Sequence, residues 1–286
     1  MFEKELETAI ALARAAGKTI LEHYALEIIA EEKLGIDNFS EPVTAADRAA
    51  SRIIVDGLKA AFPADGVLSE EEIDLPETRL SSPRVWITDP IDGTAGFVKK
   101  DGDFAVQIGL AIDGEPVLGV VLVPVSDILY FATKSDGAYS VVSGGPPTRL
   151  MVSDKTTLHG MTVATSRNNR SPGISLISER LGFAGEVQRG SIGIKFGLIA
   201  EKMCDVYVNL SPRSKFWDTC GPQAILEEAG GKLTDLFGKR IEYGIADVQN
   251  HNGLVASSEA AHSLLIENIR PLLAELGRHR LKAKAV

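Results

Sequence analysis

The sequence predicts a mixed α/β fold, and three observations carry that expectation. Two amphipathic helical stretches open the chain, residues 104–142 read as short strands joined by tight turns, and beyond residue 150 strands alternate with helices. In the first stretch Phe2, Leu6, Ile10, Ala13, Ile20 and Tyr24 recur near helical spacing, so a helix is expected over 3–24. Ala46, Ala49, Ala50, Ile53, Ile54 and Leu58 mark a second over 45–61, which Phe62-Pro63 stops. Short buried strands are expected at Val67-Leu68 and Val85-Trp86-Ile87. The β-rich stretch divides into 105–112, 116–123, 128–132 and 138–142, with Asp113-Gly114 as its first turn, and so reads as an antiparallel meander. The run 143–147, Ser-Gly-Gly-Pro-Pro, is a hairpin tip near a boundary between two halves, 1–150 and 151–286. In the second half strands are expected at 161–165, 204–210 and 253–257, with helices near 173–181, 192–202, 218–229 and 258–276. The basic tail 278–286, with Arg278, Arg280, Lys282 and Lys284, is expected to fray.

Composition narrows the function. The chain has 286 residues, 30 Lys+Arg against 39 Asp+Glu, and a net charge of −9. At 44% hydrophobic it is too apolar for a disordered protein. The acidic balance argues against a sequence-independent nucleic-acid binder, which needs a positive footprint. Two cysteines, Cys204 and Cys220, make neither a disulfide framework nor a four-thiolate zinc site. Residues 1–17 are amphipathic and charged rather than signal-like, and no apolar run approaches the roughly 18 residues of a membrane span. The expectation is a cytoplasmic protein that binds neither nucleic acid nor membrane.

The most informative string is Trp86-Ile87-Thr88-Asp89-Pro90-Ile91-Asp92-Gly93-Thr94. An apolar strand ends in one Asp, a second follows three positions on, and Pro90 forbids a regular ladder between them. Two carboxylates with the Ile91 carbonyl between them suit Mg²⁺, and Gly93-Thr94-Ala95 can open a short helix facing a phosphate. Asp-Gly alone is ordinary turn chemistry; the whole strand-bounded string favours a site. Ser69-Glu70-Glu71-Glu72 also follows an apolar strand and can converge on Asp89, or can be a solvated acidic loop. Asp218, in Phe216-Trp217-Asp218-Thr219, stands where a helix cap would. Thr44 and Asp47 have the spacing of a capping box, a role that can coexist with a functional one.

Taken together, Asp89-Pro90-Ile91-Asp92-Gly93-Thr94, Ser69-Glu70-Glu71, Trp217-Asp218 with Ala229-Gly230-Gly231, and Val43-Thr44-Ala45-Ala46-Asp47 resemble the inositol monophosphatase superfamily. Within it, the stretches 211–222 and 231–235 and Gly190-Ser191-Ile192-Gly193-Ile194-Lys195 look like the 3′(2′),5′-bisphosphate nucleotidases, which convert 3′-phosphoadenosine 5′-phosphate to AMP. The resemblance implies a layered α/β/α/β/α sandwich with the metal site in the cleft between its halves, and a homodimer. It implies two or three Mg²⁺ ions on Glu70, Asp89, Asp92, Asp218 and the Ile91 carbonyl, with Glu71 beside them. Asp47 and Thr94 then orient or deprotonate the attacking water, with Glu70 the third catalytic group. Gly93, Thr94 and Asp218 face the substrate, and Ser191, Gly193 and Lys195 grip its second phosphate.

The chemistry accounts for those residue types. A phosphate monoester repels hydroxide, and divalent cations held by the carboxylates reverse the local sign and clamp the phosphoryl oxygens. The spacing Asp-x-x-Asp differs from the Asp-x-Asp of phosphoaspartate enzymes, and no Walker A string occurs. The five histidines show no paired metal spacing. Substrate identity stays open. Inositol monophosphatases carry a glutamate seven residues before the Trp-Asp aspartate, where this chain has Ser211. In Ser166-Arg167-Asn168-Asn169, Asn169 replaces the histidine of the nucleotidases' Ser-Arg-Ser-His. The readings are therefore a bisphosphate nucleotidase, a phosphatase of inositol phosphates or fructose 1,6-bisphosphate, or a ligand-binding protein that kept the fold without catalysis.

Overall fold

A computed structural model describes residues 2–168 and 170–281. The order of elements is α1 (Glu3–Tyr24), β1 (Ala30–Leu34), β2 (Ser40–Thr44), α2 (Ala45–Ala61), β3 (Gly66–Ser69), α3 (Pro76–Arg79), β4 (Arg84–Asp92) and α4 (Thr94–Val98). Then come β5 (Ala105–Ile112), β6 (Glu115–Val123), β7 (Ile128–Thr133), β8 (Gly137–Val142) and β9 (Thr148–Arg149). The rest is β10 (Thr162–Ser166), α5 (Gly173–Leu181), β11 (Gly185–Arg189), α6 (Ile192–Ala200), β12 (Val206–Asn209), α7 (Cys220–Glu228), β13 (Gly231–Thr234), β14 (Leu254–Ser258) and α8 (Glu259–Glu275).

Strands β3 to β9 pair in sequence order into a seven-stranded sheet, antiparallel except for the parallel β3–β4 pair. The meander is as expected, and its first turn has Asp113 and Gly114 at φ 51° and 79°, the left-handed pair that a tight hairpin needs. A five-stranded sheet runs β11-β10-β12-β14-β13. Helices α1 and α2 bury Ala9, Ala13, Ile20, Ile54 and Leu58 on one face of the large sheet. On its other face lie α6 and α7, which also cover the small sheet through Phe196, Ile199 and Leu226. Helices α5 and α8 close the far side with Ile174, Ile177, Leu265 and Ile269. The layers are therefore α/β/α/β/α.

Four features depart from the sequence expectation. Strands β1 and β2 form a separate antiparallel hairpin; Ala-Glu-Glu-Lys-Leu and Ser-Glu-Pro-Val-Thr are mostly exposed, so no apolar alternation announces them. Strands β9, β11 and β13 and the single-turn helix α3 are short and partly polar, and likewise lie outside the expectation. Strand β4 runs to Asp92 rather than stopping at Ile87. The tail is not frayed at its start: Leu281 N–H donates to Asn252 Oδ1 at 2.8 Å and Asn252 Nδ2 to the Leu281 carbonyl at 3.1 Å. Lys282, Lys284 and Asn169 lie outside the described residues. Both cysteines are buried free thiols. No helix among the described residues is long and apolar enough to cross a membrane.

Candidate active site

The site forms where the two sheets meet α6. Parallel pairing sets Ser69 beside Thr88, so the residues that follow, Glu70 and Asp89, leave the same sheet edge together. Strand β4 then bulges: Asp89 pairs with Gln107 and Asp92 with Ala105, so β4 carries one residue more than β5 over that interval. Residues three apart on a regular strand face opposite sides; the extra residue turns Asp89 and Asp92 to the same side. Pro90 has no N–H to give the ladder, which is why the bulge falls there. Asp218 comes from the segment between β12 and α7, ahead of the helix. It is not the cap of α7, whose N-cap residue is Thr219, with no side-chain capping bond. Instead Asp218 Oδ2 accepts from Lys215 N–H at 2.7 Å.

Each of these aspartates is fixed through hydrogen bonds to its neighbours. Asp89 Oδ1 accepts from Ile91 N–H at 2.9 Å. Asp92 Oδ2 accepts from Ser191 Oγ at 2.5 Å, from Gly193 N–H at 3.1 Å and from Gln107 Nε2. One ligand oxygen from each of Asp89, Asp92 and Asp218 lies within 4.8 Å of the others. Asp89 and Asp92 are buried and Asp218 is half-buried, and loss of solvent first, then the neighbouring carboxylates, raises Asp89 and Asp218 well above the usual carboxylate range. Asp92 is also raised by burial, with the Lys195 charge opposing. Concentrated carboxylates at this cost call for a cation. An all-oxygen donor set suits a hard divalent ion such as Mg²⁺, so the residues present fit one.

The water-handling pair expected from sequence stands beside this cluster. Asp47 sits in the first turn of α2, where its Oδ2 accepts from Thr44 N–H at 2.8 Å and Thr44 Oγ1 at 2.6 Å; this is the capping box. Its other oxygen is 3.3 Å from Thr94 Oγ1. Thr94 has one hydroxyl proton and two acceptors, Asp47 Oδ1 and the Ile91 carbonyl at 3.1 Å. Burial raises Asp47 above its ordinary value. Gly93 turns the chain into α4 at φ 99°, and a Cβ there would meet the Asp103 carbonyl at 2.8 Å.

Ser191 and Gly193 belong to the start of α6, and their donors hold Asp92. Lys195 is fully buried, its Nζ donating to the Arg189 and Gly190 carbonyls at 3.2 and 3.1 Å, 5.4 Å from the Tyr207 ring centroid. Burial pushes its ammonium down to about 8. Arg167 pairs with Asp101 and Asp103 at 3.1 and 3.4 Å. A cavity of 440 Å³ is walled by Asp89, Asp92, Thr94, Lys195 and Asp218 among others.

Sequence reasoning missed three residues. Lys33, on β1, bridges Glu70 at 2.9 Å and Glu71. Burial opposes its charge, but the two carboxylates hold its ammonium above the ordinary value. Burial, then the Glu70 charge, pushes Glu71 up to about 7. Nothing in a polar hairpin signals this contact. Gln107 did leave a signal, as the one polar side chain in Ala-Val-Gln-Ile-Gly-Leu-Ala-Ile. Asp103 accepts from Gly190 N–H at 2.5 Å and so steadies the loop before α6.

The sequence profile of the inositol monophosphatase family matches residues 1–274. The chain is 37% identical over 240 residues to the 3′(2′),5′-bisphosphate nucleotidase CysQ of Salmonella typhimurium, covering 83% of this chain and 93% of that one. It is 33% identical over 260 residues to the histidinol-phosphatase of Mycobacterium tuberculosis, covering 89% and 96%. The crystal structure of CysQ from Bacteroides thetaiotaomicron superposes with a TM-score of 0.75 at 29% identity, over 90% of this chain and 98% of that one.

Proposed function

This chain belongs to the inositol monophosphatase family, and from that premise we propose that it is a Mg²⁺-dependent 3′(2′),5′-bisphosphate nucleotidase. The reaction is hydrolysis of 3′-phosphoadenosine 5′-phosphate to AMP and phosphate by attack of water. Likeness to the CysQ nucleotidases over most of both chains supports that substrate class. The observation that carries the reading is the cluster of Asp89, Asp92 and Asp218, each hydrogen-bonded to its neighbours and each offering one oxygen to the same small volume.

In this reading Glu70, Asp89, Asp92, Asp218 and the Ile91 carbonyl hold two or three Mg²⁺ ions. Bound there, the ions supply Lewis-acid charge that draws in a doubly negative ester and offsets the charge developing on the phosphoryl oxygens. Thr94 Oγ1 accepts the proton of the attacking water as its own passes to Asp47, which burial makes more basic than an exposed aspartate. The capping box fixes Asp47 on a rigid helix, so the proton path needs no reorganisation. Gly93 and Thr94, at the start of α4, lie against the reacting phosphate. Lys195 offers a buried positive charge to the second phosphate, with Ser191 and Gly193 fixing Asp92 beside it. The substrate is a small phosphorylated molecule met in the cytoplasm.

A second reading is a phosphatase of a simple monoester, such as inositol 1-phosphate, or of fructose 1,6-bisphosphate. The monoester case is favoured by the commitment of Ser191 Oγ and Gly193 N–H to Asp92, which leaves Lys195 alone among the three to donate to a second phosphate. The deciding measurement is kcat/KM for 3′-phosphoadenosine 5′-phosphate, inositol 1-phosphate, fructose 1,6-bisphosphate and histidinol phosphate under the same Mg²⁺. A tenfold or larger preference for the nucleotide supports the first reading, and the same preference for any other ester replaces it. No Mg²⁺-dependent hydrolysis of any of them points to the non-catalytic alternative.

A further inference from the structure

The β1–β2 hairpin brings an aromatic ring to the mouth of the cleft. Phe39, next to the start of β2, is 54% exposed, and the Arg213 guanidinium lies over its ring at 3.3 Å from the centroid. With one face covered by Arg213 and that much of the ring still exposed, the opposite face is open. Phe39 and Arg213 share the walls of the cavity that contains Asp89, Asp92 and Asp218. Among the described residues of those walls the other aromatic side chains are Tyr207 and Trp217, at 0% and 6% exposure. Ser166 and Asn168, which also line the cavity, present no ring. A flat ligand that enters the cavity therefore meets a single open aromatic face.

That face is held in place. Arg213 pairs with Asp37 at 3.3 Å, Lys215 with Glu41 at 2.8 Å, and Lys33 with Glu70 at 2.9 Å. These pairs tie the hairpin to the segment that carries Asp218 on one side and to the loop after β3 on the other. Arg213 and Lys215 lie within five residues of Asp218, so the ring is tied to the same segment as one of the clustered aspartates. An aromatic surface fixed in advance binds a planar group without the entropic cost of ordering it.

We infer that Phe39, backed by Arg213, is a specificity-determining residue that stacks on the nucleobase of the substrate's leaving group. The inference rests on the nucleotidase reading and deepens it. Stacking on a ring is tolerant of which base is presented, so the platform selects nucleotides over ring-free esters rather than adenine over other bases.

The test uses the full chain with Mg²⁺ and the variants Phe39→Ala, Phe39→Leu and Phe39→Trp. The substrates are 3′-phosphoadenosine 5′-phosphate and the ring-free glycerol 2-phosphate, with AMP as an inhibitor of the latter. Phe39→Ala and Phe39→Leu should both raise KM for the nucleotide and weaken AMP inhibition by roughly tenfold relative to any change in KM for glycerol 2-phosphate. Phe39→Trp should restore both. Leucine keeps the apolar bulk that anchors the hairpin and removes only the flat face, which separates stacking from packing. Equal shifts for the nucleotide and glycerol 2-phosphate, or AMP inhibition that does not respond to Phe39→Ala, overturn the platform. The nucleotidase reading fails separately, if the wild-type chain prefers inositol 1-phosphate while its AMP inhibition still weakens in Phe39→Ala.

Discussion

Ser191 Oγ donates to Asp92 Oδ2 across 2.5 Å, joining the first turn of α6 to the end of β4 over 99 residues of sequence. The same hydroxyl accepts from Ile194 N–H at 3.1 Å, so one side chain both caps α6 and aims a carboxylate. With Gly193 N–H also on Oδ2, Asp92 is held by one oxygen. Ser191→Ala should therefore weaken Mg²⁺ binding by about 10- to 100-fold, the usual cost of losing a hydrogen bond that orients a ligand. Activity measured against Mg²⁺ concentration checks this, with kcat at saturating Mg²⁺ falling far less than the apparent affinity. An unchanged Mg²⁺ midpoint would show that Gly193 N–H and Gln107 Nε2 aim Asp92 without the Ser191 hydroxyl. Asp92→Asn, by contrast, should abolish Mg²⁺-dependent phosphate release from a folded protein.

Thr94 tests the chemistry rather than the metal. Its hydroxyl is 3.3 Å from Asp47 Oδ1 and 3.1 Å from the Ile91 carbonyl. Thr94→Val keeps the shape and removes the proton path. The expected loss in kcat is about 10²–10⁴-fold, the range for a positioned acid–base group, with the Mg²⁺ midpoint nearly unmoved. A fall in Mg²⁺ affinity of the same size as the fall in kcat would assign Thr94 to holding the ion instead.

Gly119 tests how the fold places Asp218. A Cβ on Gly119 would stand 2.1 Å from the Gly221 carbonyl oxygen, and one on Gly109 2.6 Å from Gly221 N. The start of α7 therefore rests on the backbone of β5 and β6, and Asp218 lies just ahead of it. Gly119→Ala should cost about 1–3 kcal/mol through overpacking, measured by urea unfolding. It should also lower activity, because α7 must back away and carry Asp218 with it. Destabilisation with full activity at saturating Mg²⁺ would show that Asp218 is positioned independently of α7.

These glycines mark the boundary of what the chain's patterning reveals. Helices α1 and α2 and the meander follow directly from apolar spacing, because each buries one face of a long element. Asp89 and Asp92 are legible because Asp89-Pro90-Ile91-Asp92 joins a strand end, a forced bulge and two carboxylates in one string. The partners that fix them are not. Ser191, Gln107 and Lys33 reach the cluster through tertiary contacts between elements far apart in sequence, and only Gln107, polar in an apolar strand, leaves a local trace. The β1–β2 hairpin is invisible for the opposite reason: it is held by ion pairs and by Arg213 on Phe39 rather than by a buried stripe. Spacing alone leaves Asp218 open between a helix cap and a site residue, because it cannot tell a cap from a turn that ends two residues before the helix.

His262 gives a stability prediction away from the site. It lies on α8 between Thr234 Oγ1 at 2.9 Å and Ser257 Oγ at 3.0 Å. Burial, then the Lys232 charge, pushes its pKa down to about 4, against an ordinary value of about 6.5. The folded chain thus resists a proton that the unfolded chain accepts. The contribution of His262 to stability is complete above pH 6.5 and is lost as pH falls towards 4, with no further loss below that. Between pH 7 and pH 5 the loss is about 2 kcal/mol. Urea unfolding of the wild type and of His262→Gln at both pH values isolates it. The glutamine side chain can bond both hydroxyls but does not titrate, so the variant should lose about 2 kcal/mol less than the wild type over that interval. Parallel losses in the two proteins would mean that the imidazole is protonated in the folded state, with both ring nitrogens donating to Thr234 and Ser257.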